Sequence, residues 1–235
     1  MLIVGGLAVF VGALVQGSVG FGLGLIAAPI LTLLDPGVMP GAVQVANLAL
    51  PLFTLAREWR RVDWRGLGFA VLGRVPGSFV GAWIVVYVSV QALGILVGAM
   101  VLIAVVLTAR APSLPRNGYS VSGAGFVSGI TGTATGIGGP PMALVYQNAK
   151  GPEIRATLAM YFFLSAAQSL GILAVVGHLP GKALVTGAFL LIPMIAGFLV
   201  SGPVRRYVDG GKMRVAILVV AAISAIVLIG QSLLR

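Results

Sequence analysis

The sequence predicts an all-α polytopic membrane protein of two inverted repeats, each a glycine-broken helical hairpin followed by three transmembrane helices. Three observations predict it. Of 235 residues only 9% are charged while 59% are hydrophobic, and mean hydropathy is +1.09. A soluble domain carries about a quarter charged residues, so this chain lacks the polar surface to face water. Apolar stretches of spanning length, about 17–25 residues, follow one another almost without interruption. Two of them are too long for one span, and each is broken by glycine. The 34 glycines and 13 prolines fit, because membrane helices tolerate both where neighbours satisfy the freed backbone groups.

The first long stretch covers residues 2–34 and breaks at GSVGFGLG, residues 17–24. No positive residue precedes its apolar run and no small-residue cleavage site follows, so it reads as part of the mature fold rather than a leader. Spans follow near 40–57, 66–88 and 91–109, and RAPSLPRNGYS at 110–120 is the longest polar piece. The second long stretch, 121–148, breaks at GTATGIGGPP, residues 132–141, and spans follow near 154–176, 182–203 and 213–234. The stretches align at a spacing of 116 (126 − 10): Phe10 matches Phe126, and Gly20 and Gly22 match Gly136 and Gly138. VPGSFVG at 75–81 echoes IPMIAG at 192–197. The repeats are therefore expected at 1–110 and 121–235.

Charge decides the orientation. Were each broken stretch a single span, the basic residues would divide almost evenly between the two faces. With each as a hairpin that enters and leaves on one side, one face collects Arg57, Arg60, Arg61, Arg65, Arg110, Arg116, Lys150, Arg155, Arg205, Arg206, Lys212 and Arg214. The other keeps only Lys182 and Arg235. That asymmetry is expected of a cytoplasmic face, and interrupted helices in inverted repeats recur among transporters. Both termini are then expected outside the cytoplasm, in the inner (plasma) membrane. The net charge of +10 follows from this bias and calls for no nucleic acid.

Broken backbone at membrane depth is tolerated only where it is buried in protein or lines a cavity. A half-helix starting after such a break turns free N–H groups and a partial positive charge inward, which suits an anion. The expected substrate contacts are Ser18, Gly20, Gly22 and Gly24 in the first break. In the second they are Thr131, Thr133, Thr135, Gly136, Gly138, Gly139 and Pro140, with Pro140 and Pro141 fitting the first helical turn. Taken singly, such small residues also serve close helix packing. Arg74 is the one charge inside a span. Every acid (Asp35, Glu58, Asp63, Glu153, Asp209) lies near a span end, so Arg74 either attracts an anion, or snorkels to the interface or binds helix-end carbonyls. Asn47, Tyr161 and Gln168 face a cavity or hydrogen-bond between helices, and His178 reads as a surface loop residue.

The missing residues narrow the function. With no cysteine, thiolate sites and disulfides are excluded. No HExxH, no pair of intramembrane acids and no P-loop are present, so the chain reads as a non-enzyme without cofactor or metal. No membrane carboxylate offers the usual proton or sodium coupling. The expected partners are a small anionic substrate and the bilayer, with homo-oligomerisation left open. A transporter leads; an anion channel and a non-transporting subunit that anchors a partner are the alternatives.

The glycine breaks GSVGFGLGLIAAP at 17–29 and GITGTATGIGGPPMAL at 129–144, with RVPGSFVGA at 74–82, resemble the TauE/SafE-type sulfite exporter family across essentially the whole chain. The resemblance implies export of small sulfur anions such as sulfite, organosulfonates or thiosulfate. Carried over, Gly20, Gly22 and Gly24 belong to one half-site. Thr135, Gly136, Gly138, Gly139, Pro140 and Pro141 belong to the other.

Overall fold

The computed structural model describes residues 2–110, 114–208 and 212–234, with side chains apart from those of residues 2, 204–208 and 212–217. Arg235, Asp209 and the side chains of Arg205, Arg206, Lys212 and Arg214, which entered the charge count, lie outside the described residues.

Ten α-helices lie among the described residues: α1 (Leu2–Val19), α2 (Leu23–Leu34), α3 (Gly41–Glu58), α4 (Trp64–Tyr87), α5 (Val90–Arg110), α6 (Gly118–Thr135), α7 (Gly139–Tyr146), α8 (Gly151–Val175), α9 (Gly181–Val208) and α10 (Lys212–Leu233). Four stretches are long and apolar enough to cross a membrane: α4, α5, α8 and residues Gly181–Pro203 of α9. At 1.5 Å per residue, the 24 residues of α4 reach about 36 Å. On α4 and α9 the outward faces carry Phe79, Trp83, Phe189 and Ile192, all more than half exposed. A soluble protein does not expose such a belt; a bilayer covers it. The chain is a multi-pass membrane protein.

Both long stretches turn back on themselves. In the first, Gly5 packs beside Leu31 and Leu34 while Gly12 packs beside Leu23, so α2 returns antiparallel along α1. In the second, Gly138 lies against Ser128 and Gly132, which brings α7 back along α6. Helix bounds repeat at the spacing read from sequence: α6 starts and ends 116 residues after α1 (118 − 2, 135 − 19), and α7 starts 116 after α2 (139 − 23). Helix α6 opens at Gly118, where the Asn117 side chain accepts from Ser120 N–H and caps it.

Contacts exchange between the two sets of five helices. α4 packs on α6 and α9 on α1; α3 packs on α9 and α8 on α4; α2 packs on α10 and α7 on α5. The α4–α6 seam is the tightest. A Cβ on Gly73, Gly77 or Gly81 would strike the carbonyl oxygens of Ser122, Phe126 and Ile130, and one on Gly125 would strike that of Ala70. The common order of these contacts makes α4 and α6 parallel. Small residues permit this approach, and close packing is what drives helix association in lipid. α5 and α10 meet antiparallel, Gly94 beside Ser232 and Gly98 beside Ala225.

Candidate functional site

Both breaks are set by backbone that only glycine adopts readily. After α1, Gly20 and Gly22 have φ of 102° and 139°. The Gln16 side chain then accepts from Leu23 N–H at 3.1 Å, so one free amide of α2 is already capped from within. After α6, Gly136 is left-handed with φ 77° and its N–H returns to the Gly132 carbonyl at 2.9 Å, a helix end of the αL type. Thr135 Oγ1 accepts from Ile137 N–H, and Ser128 Oγ donates to the Gly138 carbonyl. The two breaks touch: a Cβ on Gly24 would lie 2.5 Å from the Gly136 carbonyl oxygen.

Two small cavities flank this junction, each of about 20 Å³. The first lies between the breaks, against Gln16, Phe21, Gly22, Gly24, Gly139 and Pro140. The second lies against Gln44, Arg74, Gly132 and Ser165. Asn47, Gly136, Gly138 and Phe162 line both. Each has room for about one water, so an oxyanion enters only if the walls move.

Arg74 does not snorkel. It is 1% exposed, because α4 carries it near mid-helix against α6 and α8. Its Nη1 donates to the Ser128 carbonyl at 3.1 Å. Nη2 donates to the Ser165 carbonyl at 2.9 Å and to Ser169 Oγ at 2.7 Å. Ser169 Oγ lies 2.9 Å from Thr133 Oγ1, and the guanidinium sits 5.7 Å from the Tyr161 ring centroid. No carboxylate among the described residues pairs with it; Asp35, Glu58 and Glu153 are taken by Lys182, Arg155 and Arg116, and Asp63 accepts from Tyr146. Among the described residues, two buried side-chain polar atoms have no partner, Arg74 Nε and Ser165 Oγ, and both residues line the second cavity. An orphaned buried donor costs about 1–3 kcal/mol. Two of them at one cavity, with a cation and no counter-charge, are what an anionic ligand would relieve.

The structure gathers part of the expected set. Gly22, Gly24, Gly136, Gly138, Gly139, Pro140 and Arg74 line the cavities. Thr133 stands behind Arg74 through Ser169, and Thr135 bonds backbone at the second break. Thr131 bonds the Val127 carbonyl. Ser18 turns to the Leu14 carbonyl and α9, while Gly20 packs on Arg155 of α8; neither lines a cavity. Sequence reading missed Gln16, Gln44, Phe162 and Ser165, and named Asn47 only beside Gln168 and Tyr161, as facing a cavity or bonding between helices. The available signal was helical spacing: Gln44 and Asn47 are i, i+3 on α3, and Phe162, Ser165 and Ser169 are i, i+3, i+7 on α8, each set sharing a face.

The family model for the sulfite exporter TauE/SafE matches residues 4–228. A curated relative from Cupriavidus necator, a probable sulfite/organosulfonate exporter TauE, is 29% identical over 196 residues, covering 78% of this chain and 76% of that protein. No solved structure matches the chain. The chain belongs to the TauE/SafE sulfite exporter family, whose members are transporters and not enzymes.

Proposed function

We propose that this TauE/SafE family member exports a small sulfur oxyanion, sulfite or an organosulfonate, by alternating access around the paired cavities at the helix breaks. The observation that carries the site is Arg74: a cation buried near mid-helix in a spanning helix, with no carboxylate partner among the described residues, lining a cavity together with Ser165, while its Nε and the Ser165 Oγ are both unpartnered. A charge at that depth costs several kcal/mol and marks a substrate path or a partner.

Alternating access is supported by the exchange of contacts between the two helix sets and by the antiparallel α5–α10 pair. Both are expected of inverted repeats, divided near 1–110 and 121–235, in which one unit rocks against the other. The closeness of the cavity walls favours this over an open channel. The orientation places the arginine-rich loops in the cytoplasm and both termini outside, in the plasma membrane. An interior-negative potential drives a monovalent anion outward by ~2.3 kcal/mol per 100 mV, so export proceeds without a coupling carboxylate.

The test is flux in proteoliposomes. Sulfite, sulfoacetate and chloride are loaded under an imposed potential. Saturable sulfite or sulfoacetate efflux with countertransport is expected. Linear flux that chloride shares equally would make the protein a channel, and no flux from folded protein would remove the transport reading.

A further inference from the structure

The two cavities share four wall residues, and those four stand where one cavity gives way to the other. Gly136 and Gly138 supply backbone there, which leaves Asn47 of α3 and Phe162 of α8 as the only side chains common to both walls. The chambers differ in chemistry. One is lined by the polar residues Arg74, Ser165 and Gln44. The other is walled by Phe21, Leu25, Ile137 and Pro140, with Gln16 at its edge.

Phe162 is 7% exposed, and its ring is held rather than loose. It stands edge-on to Tyr161 at 5.9 Å between centroids, with Cζ 3.4 Å from where a Cβ on Gly139 would lie. Tyr161 in turn lies under the Arg74 guanidinium, so the ring's position is tied to the cation. Asn47 makes no side-chain hydrogen bond within the described residues, unlike Gln16 and Gln44, which are both used. Its amide is free to donate to a passing oxyanion.

We propose that Asn47 and Phe162 form a selectivity neck between the two chambers. Phe162 sets the largest organic substituent that passes, and Asn47 hydrogen-bonds the anion during passage. The substrate class this admits is a compact oxyanion head with at most a short organic tail, the head seated at Arg74 and the tail in the apolar chamber. The proposal rests on the exporter reading above.

The experiment compares sulfite, methanesulfonate and benzenesulfonate efflux from liposomes bearing the wild type, Phe162→Ala, Phe162→Leu or Phe162→Trp. Removing ring volume is expected to raise the benzenesulfonate-to-sulfite flux ratio about tenfold or more, the scale on which apolar pockets discriminate size. Phe162→Trp is expected to depress methanesulfonate more than sulfite, and Asn47→Leu to lower the flux of all three. Folded protein is verified by gel filtration and thermal unfolding; should the alanine variant not fold, the leucine and tryptophan variants carry the comparison. A size ratio that stays at the wild-type value across folded Phe162 variants, while Arg74→Met lowers sulfite flux, overturns the neck alone. Absence of sulfite and sulfonate flux in the wild type overturns the exporter reading and the neck with it.

Discussion

The α4–α6 and α1–α9 seams are built alike and used differently. Each joins a hairpin's first arm to a spanning helix of the other set, in parallel, by close backbone approach. Gly77 meets the Phe126 carbonyl in one, and Gly197 meets the Phe10 carbonyl in the other, with Phe10 and Phe126 the pair that aligned in sequence. The chemistry is not repeated. At the depth where α4 carries Arg74, α9 offers apolar side chains, Leu190, Leu191 and Met194. The α6 residue that meets Arg74 differs from its α1 counterpart too: Ser128 accepts from Arg74 through its carbonyl, and at the spacing of 116 it corresponds to Gly12. In the proposed mechanism the two like seams let two bodies move against each other, and the proposed anion site lies where the likeness breaks down.

The likeness is broken first at the glycines. Gly77→Val and Gly197→Val each drive a side chain into a carbonyl, and each is expected to cost on the order of 3 kcal/mol. Thermal unfolding in detergent measures it; comparable losses would show the seams to be mechanically equivalent, and a loss at only one would end the comparison.

The difference is sharpened at Arg74. Arg74→Met is expected to lower sulfite flux roughly 10- to 100-fold, the worth of a hydrogen bond to a charged group. Its melting temperature should hold or rise, because an apolar side chain replaces a buried, unpaired charge. Arg74→Lys retains charge without the planar donor fork and should recover only part of the flux. A melting temperature that falls in step with flux would make Arg74 structural.

Much of this scaffold was legible and less of the site. Glycine punctuation at a fixed spacing located both breaks, because few residues other than glycine take the positive φ at Gly22 and Gly136. Arg74 stood out because charge inside a span is rare. Ser18 lies off both cavities because a hydroxyl in a helix can bond the carbonyl four residues back, as Ser18 does to Leu14, and sequence does not say which way it turns. Ser165, Gln44 and Phe162 went unnoticed because their role depends on which helix faces them. α8 had to be placed against α4 before Ser165 and Arg74 became neighbours.

Smaller effects follow at the edges of the site. Ser165→Ala removes a buried hydroxyl without a partner. It should leave stability unchanged or improved while flux drops several-fold, about one hydrogen bond's worth. Lys182→Met breaks the Asp35 pair, whose lysine is 66% exposed; a change of less than about 1 kcal/mol in unfolding is expected, with flux little altered. A large loss there would move attention from the junction to the α2–α9 end of the molecule.

The most direct measurement is calorimetric titration of sulfite into purified wild type and Arg74→Met, at matched melting temperature. The account predicts saturable binding to the wild type, weakened by competing organosulfonate, and none detectable in Arg74→Met. Equal affinity in the two proteins would contradict it and place the anion elsewhere in the fold.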